Sequence, residues 1–420
     1  MQAGASRDIG YRFGWARLGR EERIVEFSTW IEIDLDALVS NIGEVRSRVE
    51  EGVGIILVVK ADAYGHGAVE VARAAVQSGV DMFGVATLHE GIELRQAGID
   101  APILILSPSM EDEAAAIVEY DLSCSVQSLA IARALSRACV ERGKKVTVHV
   151  EVDTGMGRSG VLLEEALPFV SAVAKLPEVY LEGVYTHFPS SDDDPKFTET
   201  QVTSFLSLLE TLERKGVAIP LRHAANSGGV LGVPPSAGAP FNMVRPGLMV
   251  YGLRPSAESG GDARLRPVMS FKSRLAQVRD LPPGHPVSYG RTWSAPTAMR
   301  MGVVPVGYGH GYSWRLSNAG EVLIRGRRAP VVGRVTMDVT LVDLRQAPDA
   351  EVGDEVVLFG RQGDAEVTVD EVAGRVGTIN YEVICGIGKR VTRVYVQSGE
   401  TIGLRTLTER RVVGRRHQSR

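Results

Sequence analysis

The stretch GIILVVKADAYGHG, residues 54–67, joins a short apolar run to a lysine that is followed by a tyrosine and two glycines. An apolar run of this length is typical of a strand that is buried on both faces of a parallel sheet. Lys60 therefore leaves the hydrophobic interior where the strand ends. The stretch predicts a parallel α/β sheet with a potentially reactive amine at its carboxyl edge.

Between about residues 29 and 253, short β-rich runs alternate with longer helical stretches. Such alternation indicates βα units, and eight of them favour a closed (β/α)8 barrel, the TIM barrel. An open doubly wound sheet is the alternative, but no G-x-G-x-x-G motif follows the first strand. The eight runs are GIILVVK, MFGVAT, PILILS, LSCSV, VTVHVEVD, LEGVYTH, LRHAANS and MVRPGLMVYG.

The chain changes character after Pro255, where short strands punctuated by glycine replace the βα pattern. The predicted fold class is therefore α/β, with an N-terminal (β/α)8 barrel followed by a C-terminal, mainly β domain. The predicted ranges are an N-terminal extension at 1–28, the barrel at 29–255, the β domain at 264–400 and a basic, solvated tail at 401–420.

Composition narrows the class of protein. The 420 residues carry a formal net charge of -4, which provides no overall basic field for nucleic acid. No segment reaches the roughly 18 consecutive apolar residues that a membrane span needs. The three cysteines are too few and too widely spaced for a disulfide framework or a structural zinc site. We expect a cytoplasmic protein that binds no metal, does not associate with a membrane and has no nucleic-acid partner.

Polar residues follow several predicted strands. Lys60 ends the first strand, His187 the sixth, Asn226 and Ser227 the seventh, and Arg245 lies in the eighth. Carboxyl ends of barrel strands share one rim, and phosphate often binds after strands seven and eight. Taken singly, Lys60 is typical of a surface cation and His187 of a structural histidine. Together they favour pyridoxal 5'-phosphate (PLP), which needs an amine for its aldehyde and an anchor for its phosphate.

Nine segments, in order from about Thr29 to Val396, together resemble the alanine racemase family. The resemblance implies a fold-type III PLP enzyme that acts as a homodimer with shared active sites. It implies interconversion of L-alanine and D-alanine, with D-alanine going to peptidoglycan. The segments are VVKADAYGHG, VDTGMGRSG, GVYTHF, HAANS, MVRPGLMVYG, PVMSFKSRL, VSYGRTW, GRVTMD and GTINYEVICGIGKRV.

The resemblance also implies residue roles. Lys60 would bind PLP and act as the base for the D-isomer, while Tyr289 from the partner chain would serve the L-isomer. His187 would lie near the pyridine ring, and Arg245 would face the pyridine nitrogen. The positions that hold the phosphate are Tyr64, Ser227, Gly247, Leu248 and Tyr381, with Asn226 beside them, and those that contact substrate are Arg158 and Met337.

One position departs from the family pattern. Many members have a carbamylated lysine where this chain has Glu151, and that carbamate holds the arginine that matches Arg158. Either the Glu151 carboxylate replaces the carbamate, with its shorter reach met by water or a shift, or Arg158 is less well ordered. We favour replacement, because glutamate supplies an anion directly.

Other functions share parts of this pattern. A serine or broad-specificity racemase would have the same fold, because bulk near the substrate side chain decides such preferences. A basic amino-acid decarboxylase shares the barrel and the lysine, but the segments VSYG and GRVTMD follow the racemase pattern. A non-catalytic PLP carrier would lack the β domain and Tyr289.

Overall fold

The computed structural model describes residues 27–408 and 410–412, which form a barrel and a second domain built mainly from strands. The barrel prediction is confirmed, because eight parallel strands form a closed sheet. We number these barrel strands first to eighth in chain order. They are Gly54–Val58, Met82–Val85, Ile103–Ile105, Ser123–Val126, Val146–Asp153, Val179–Tyr185, Leu221–His223 and Met243–Val244.

The barrel closes where the first strand pairs with the eighth. Met243 lies opposite Gly54 and Val244 opposite Ile55. On the far side, Cys124 of the fourth strand lies opposite Val148 of the fifth. Every barrel strand therefore has two neighbours, and the sheet presents no open edge.

Helices cover the barrel between its strands. Helix Leu35–Arg48 precedes the first strand and packs against helix Ala68–Gln77 and the 3-10 turn Leu248–Tyr251. It therefore fills the place between the eighth and first strands. The others are Leu88–Gln96, Ala114–Glu119, Leu129–Arg142, Leu163–Val173, Pro195–Arg214 and Ser227–Gly232, and a short strand, Val161–Leu162, extends the fifth strand's edge.

Burial explains why the barrel strands are continuous apolar runs. In the first strand Ile55 and Leu57 belong to the main core, whereas Ile56 belongs to a separate small cluster. That cluster also contains Met82 and Leu104, from the second and third strands. Alternate residues of a barrel strand point inward and outward, so both faces must be apolar.

The second domain is built on a nine-stranded mixed sheet. One of its strands is Thr29–Asp34, which pairs antiparallel with Met269–Arg274 and parallel with Thr392–Gln397. The predicted barrel range began at residue 29, but this strand lies in the second-domain sheet. Its burial alternates along the strand, as expected when the two faces of a strand differ.

The predicted tail also differs from the structure. Residues 400–405 form a strand, Glu400–Arg405, that pairs with Thr392–Gln397, and Arg410–Val412 extends the same sheet. Backbone pairing therefore continues past residue 401, where a solvated tail was expected. Residues 413–420 and most of the predicted N-terminal extension lie outside the described residues.

The rest of the second domain is mainly β, as predicted. Its helices are Val369–Val376 and Asn380–Cys385. Within the described ranges, no helix is long and apolar enough to cross a bilayer. The remaining strands are Gln277–Leu281, Pro286–Val287, Trp293–Ser294, Met299–Val304, Glu321–Ile324, Arg327–Pro330, Thr340–Asp343, Glu355–Gln362 and Ala365–Val367.

Candidate active site

Lys60 opens a turn with an unusual backbone. Four consecutive residues after it have positive φ, from 52° at Ala61 to 56° at Asp62 and 54° at Tyr64. This left-handed helical conformation costs an L-residue about 1–2 kcal/mol, so a run of four needs support from its surroundings. Part of that support comes from Glu90, whose Oε1 accepts a hydrogen bond from the Ala61 amide at 2.6 Å.

The Lys60 ammonium lies in an environment that disfavours its charge. Burial is the main cause that lowers its pKa, and the positive charge of Arg158 lowers it further. Glu90 and Glu151 act in the opposite direction without reversing the shift. A lowered pKa increases the fraction of free amine at neutral pH, which a lysine needs to attack an aldehyde.

The carboxyl ends of the seventh and eighth strands form a cradle. The Ser227 hydroxyl oxygen accepts hydrogen bonds from the amides of Gly247 at 3.0 Å and Met249 at 3.3 Å. With its lone pairs used in this way, the hydroxyl keeps its O–H for another acceptor. Leu248 lies between these two amides, in the 3-10 turn. The predicted grouping of Ser227, Gly247 and Leu248 is present in the structure.

Tyrosine rings line the same cradle. The Tyr64 ring lies 4.9 Å from that of Tyr251 and 6.1 Å from that of Tyr381, between ring centroids. Burial raises the pKa of Tyr381 to about 12 and that of Tyr64 further, so both phenols stay protonated and can donate to an anion. A Cβ on Gly247 would lie 2.6 Å from the Tyr64 hydroxyl oxygen, so the cradle needs glycine there.

Asn226 supports the cradle by fixing the start of the helix that carries Ser227. Its side-chain oxygen accepts from the Gly229 amide at 2.9 Å and thereby caps helix Ser227–Gly232. The Ser191 hydroxyl donates to the same oxygen at 2.8 Å. Asn226 therefore fixes the helix start that carries Ser227, and lies beside the predicted phosphate position.

Arg245 is buried, with 3% of its surface exposed. Its Nη2 donates to the carbonyl oxygens of Thr186 at 2.7 Å and Ala224 at 3.0 Å, and Nη1 lies 2.7 Å from His223 Nδ1. Its guanidinium carbon also lies 4.8 Å from the centroid of the Tyr185 ring. Burial lowers the pKa of Arg245 to about 10, so the group remains a cation at neutral pH.

A chain of hydrogen bonds leads away from Arg245. An arginine can only donate, so His223 Nδ1 is an acceptor and its Nε2 carries the hydrogen. His223 Nε2 lies 2.9 Å from His149 Nδ1, and His149 Nε2 lies 3.1 Å from a Glu182 carboxylate oxygen. Each neutral ring then donates toward Glu182, which fixes both tautomers. Gly183 permits this arrangement, because a Cβ there would lie 2.3 Å from His149 Nδ1.

His187 lies on the same rim, with its Nδ1 3.3 Å from Nη2 of Arg245. Burial, followed by the charges of Arg245, Arg158 and Lys60, lowers the pKa of His187 well below its ordinary value. The ring is therefore neutral at physiological pH, and its apolar face is suited to contact with an aromatic group. Its place beside a pyridine ring stays a prediction.

Glu151 and Arg158 do not form the pair that the sequence analysis favoured. Glu151 is buried, and its Oε2 accepts a hydrogen bond from Ser159 at 2.8 Å. Arg158 is exposed and has neither a hydrogen bond nor an ion pair within the part of the chain that the structure describes. Both charges still act on the Lys60 ammonium from the same rim.

Tyr289 and Met337 lie apart from this cluster. Tyr289 is 75% exposed and lines a surface cavity of about 480 Å³ whose walls all belong to the second domain. Met337 is 53% exposed and directly follows two wall residues, Val335 and Thr336. The structure therefore places these two predicted residues together, on a face of the second domain.

The sequence analysis missed several residues of the site. His149 and Glu182 lie inside predicted strands, where only their polarity among apolar neighbours could have pointed to them. His223 begins the segment HAANS but was given no role. Glu90 was also missed, because a glutamate at this position of a helix start is common as a structural capping residue and does not by itself indicate a site.

The residues present fit PLP. Lys60 offers a primary amine of lowered pKa, and the cradle has hydroxyl donors and a space that a Cβ on Gly247 would fill. Arg245 offers a buried cation beside His187. The fold and the site thus define a barrel enzyme with a reactive lysine and an anion cradle on one rim.

Comparisons with known proteins agree with this class. Residues 33–255 match the model described as "Alanine racemase, N-terminal domain", and residues 268–395 match "Alanine racemase, C-terminal domain". The alanine racemase of Desulfovibrio desulfuricans is 45% identical over 369 residues, covering 88% of this chain and 98% of the relative. The crystallised alanine racemase of Clostridium difficile 630 superposes with a TM-score of 0.87 at 36% identity, covering 92% of this chain and 100% of the other. The chain belongs to the alanine racemase family and is an amino-acid racemase, an isomerase.

Buried histidines predict how stability depends on pH. Burial lowers the pKa of His66, to about 4, and also lowers the pKa of His149, His187 and His223. Below about pH 6.5 the unfolded chain binds protons that the folded chain does not, so the free energy of unfolding should fall as the pH falls. The decline from each histidine is at most about 1.4 kcal/mol per pH unit.

Urea unfolding between pH 5 and 6.5 checks this expectation. His149→Gln should reduce the slope of unfolding free energy against pH by up to about one proton. His285→Gln, at an exposed position, is the matched control, and His149→Gln should change the slope more than this control does. An unaltered slope in His149→Gln would contradict the assignment of a neutral, buried His149.

Proposed function

We propose that this protein is a PLP-dependent alanine racemase that interconverts L-alanine and D-alanine in the cytoplasm and supplies D-alanine for peptidoglycan. The observation that carries the proposal is the half-buried Lys60 amine of lowered pKa, on the same rim as an anion cradle and the buried Arg245. Membership of the alanine racemase family supports alanine over serine or a broad range of substrates.

The assigned residues divide the work of holding the cofactor. Lys60 would bind the aldehyde, the cradle around Ser227 and Tyr64 would hold the phosphate, and Arg245 would face the ring nitrogen. Bound in this way, PLP makes the Cα–H bond of an amino acid attached to it acidic. The exposed Arg158 is suited to the substrate carboxylate, since it has no ion-pair partner among the described residues.

Inversion needs a proton acceptor on one face of Cα and a proton donor on the other. Lys60 Nζ serves the face from which D-alanine loses its proton. The partner's Tyr289 serves the opposite face through its phenol oxygen. The two groups exchange roles when the reaction runs in the reverse direction.

Arg245 limits side reactions. Its pKa of about 10 keeps the guanidinium protonated at neutral pH, so it donates a hydrogen bond without giving up the proton. Arg245 would therefore leave the ring nitrogen of bound PLP without a proton, and PLP held in this way would withdraw electrons less strongly. By this contact Arg245 would favour return of a proton to Cα over transamination.

A homodimer with shared sites accounts for the position of Tyr289. Tyr289 lies on an exposed face with Tyr308 and Trp314, which are 46% and 50% exposed. An aromatic face of this kind is typical of an interface. In a two-fold dimer this face of one chain can complete the Lys60 rim of the other, giving two equivalent sites.

Racemisation tests the function directly. Purified protein with PLP should convert L-alanine to a mixture of the enantiomers, measured by chiral chromatography, with L-serine tested in parallel. Lys60→Ala should lose this activity and the visible absorbance of bound PLP, because no other amine is assigned to the aldehyde.

Two results would decide against the proposal. Release of carbon dioxide from a basic amino acid without racemisation would indicate a decarboxylase, and full PLP loading without racemisation would indicate a carrier. Lys175→Ala, at an exposed lysine on the outside of the barrel, is the control and should retain both activity and absorbance.

Glu151 predicts independence from carbon dioxide. Its carboxylate accepts a hydrogen bond from Ser159 and does not pair with Arg158, but it is present without carbamylation, so degassed protein should racemise alanine at the same rate with and without bicarbonate. The comparison needs only the wild-type protein and the Glu151→Lys variant, which alone could gain a response to bicarbonate. Stimulation of the degassed wild-type protein by bicarbonate would contradict this independence from carbon dioxide.

Mixed dimers test the shared site. Lys60→Ala and Tyr289→Phe homodimers should each be nearly inactive. After unfolding and refolding together, half of the dimers are mixed, and each mixed dimer has one intact site, so about a quarter of wild-type activity should return. If both residues of a site came from one chain, every site would keep one defect. No recovery, with mixed dimers confirmed by mass, would exclude the shared site.

A further inference from the structure

Arg405 forms an ion pair with Asp62, in the turn that follows Lys60. Its Nη1 and Nη2 lie 2.7 and 2.5 Å from the two carboxylate oxygens of Asp62. Such bidentate contact fixes direction as well as distance. The two side chains are 19% and 29% exposed, so solvent screens the pair only in part. The contact joins the strand Glu400–Arg405 to a residue two positions after Lys60.

The Asp62 carboxylate has a second contact, with the backbone just after the turn. Its Oδ1 also accepts from the Ala68 amide at 2.9 Å, at the start of helix Ala68–Gln77. Burial, the largest single influence, raises the pKa of Asp62, but the hydrogen bonds and charge of Arg405, the Ala68 amide and the charge of Arg393 together outweigh it, and the pKa of Asp62 lies below its ordinary value. The pair is therefore charged at neutral pH, and holds the middle of the left-handed turn.

Other second-domain side chains hold the far end of the turn. Arg393 Nη2 donates to the Gly65 carbonyl oxygen at 3.3 Å. A Cβ on Gly67 would lie 1.9 Å from the Tyr395 hydroxyl oxygen, so that ring lies directly against the backbone. Arg393 and Tyr395 belong to strand Thr392–Gln397, the neighbour of the strand that carries Arg405. Two adjacent strands therefore cover the turn, while Glu90 holds its start from the barrel side.

We propose that Arg405 is a positioning residue that acts through Asp62 to fix the left-handed turn, and with it the direction of the Lys60 side chain. The inference rests on the proposed function only in taking Lys60 as the reactive amine. Arg405 lies beyond residue 395, where the match to the C-terminal domain of the family ends. A strand outside the matched region thus contributes to the geometry of the site.

Hydrogen exchange on the purified full-length protein, without substrate, tests the inference. The amides of Ala63 and Gly65 donate to Val59 and Ala61 carbonyl oxygens inside the turn, so their exchange reports its opening. We expect Arg405→Gln to accelerate their exchange about tenfold or more, as loss of a charged hydrogen-bonded pair implies. The dissociation constant of PLP, followed by absorbance, should rise by about the same factor.

The pair can be separated from general stability by matched variants. Arg328→Gln breaks another bidentate pair, with Glu371 at 2.6 and 2.9 Å, inside the second domain. It should leave exchange at Ala63 and Gly65 unchanged. Asp62→Asn should reproduce the effect of Arg405→Gln, and the double variant should add little to either, because both act through one contact. Arg405→Lys keeps the positive charge but loses the bidentate contact. Its exchange rates at Ala63 and Gly65 should therefore fall between those of the wild-type protein and of Arg405→Gln.

The outcomes are distinct. If exchange at Ala63 and Gly65 in Arg405→Gln stays within about twofold of the Arg328→Gln control, Arg405 does not position the turn. If Arg405→Gln does not fold, Asp62→Asn and Arg405→Lys decide by the same measurement. If the effects of Arg405→Gln and Asp62→Asn on exchange are fully additive in the double variant, Arg405 does not act through Asp62. A protein that fails to racemise alanine yet shows the exchange pattern would overturn the proposed function and leave this inference standing.

Discussion

Closure of the barrel between its first and eighth strands is the constraint on which the site depends. Gly54 begins the first strand opposite Met243, and a Cβ at Gly54 would lie 2.2 Å from the Met243 sulfur. Glycine at this position therefore leaves room for the Met243 side chain beside the strand. Because all eight strands are parallel, closure places their carboxyl ends on one rim. Lys60 and Arg245 lie far apart in sequence, and this pairing brings both to the rim, where the charges of both act on His187.

A buried cation, which has no carboxylate partner in the described part of the chain, sets the electrostatics of the rim. Arg245 is held by two carbonyl oxygens and a neutral histidine, so its positive charge is solvated but not cancelled. Together with Arg158 it lowers the pKa of His187, after burial. The same positive potential favours anions and the free form of an amine. One set of charges therefore suits a phosphate, a substrate carboxylate and a neutral Lys60 together.

Local pattern was sufficient to predict the barrel but not the membership of its flanking strands. Runs such as GIILV are apolar on both faces, and that property belongs to barrel strands wherever they pair. The strand Thr29–Asp34 alternates in burial, and its partners are more than 200 residues away, at 269–274 and 392–397. Nothing within six residues identifies such partners. The strand Glu400–Arg405 was missed for the same reason, since its charged residues resemble a solvated tail.

The site residues also divide into those that local sequence pattern indicates and those that depend on distant contacts. Lys60, His187, Asn226 and Arg245 come at or near strand ends, so topology alone brings them to the rim. The hydrogen-bond chain through His223 and His149 depends on side chains from different strands and on the space left by Gly183. The left-handed run from Ala61 to Tyr64 has no glycine to indicate it, because its stability comes from distant contacts rather than from its own residues.

The strand Thr29–Asp34, which the predicted barrel range included, joins the second domain to the barrel. Thr29–Asp34 lies between two strands of the second-domain sheet, and helix Leu35–Arg48 of the barrel continues directly from it. Asp34 both ends the strand and caps the helix, accepting from the Ala37 amide at 2.8 Å. With no linker between strand and helix, this junction gives the second domain little freedom to swing toward its own rim. The proposal that a second chain brings the exposed Tyr289 to Lys60 is therefore supported by this junction as well as by the family resemblance.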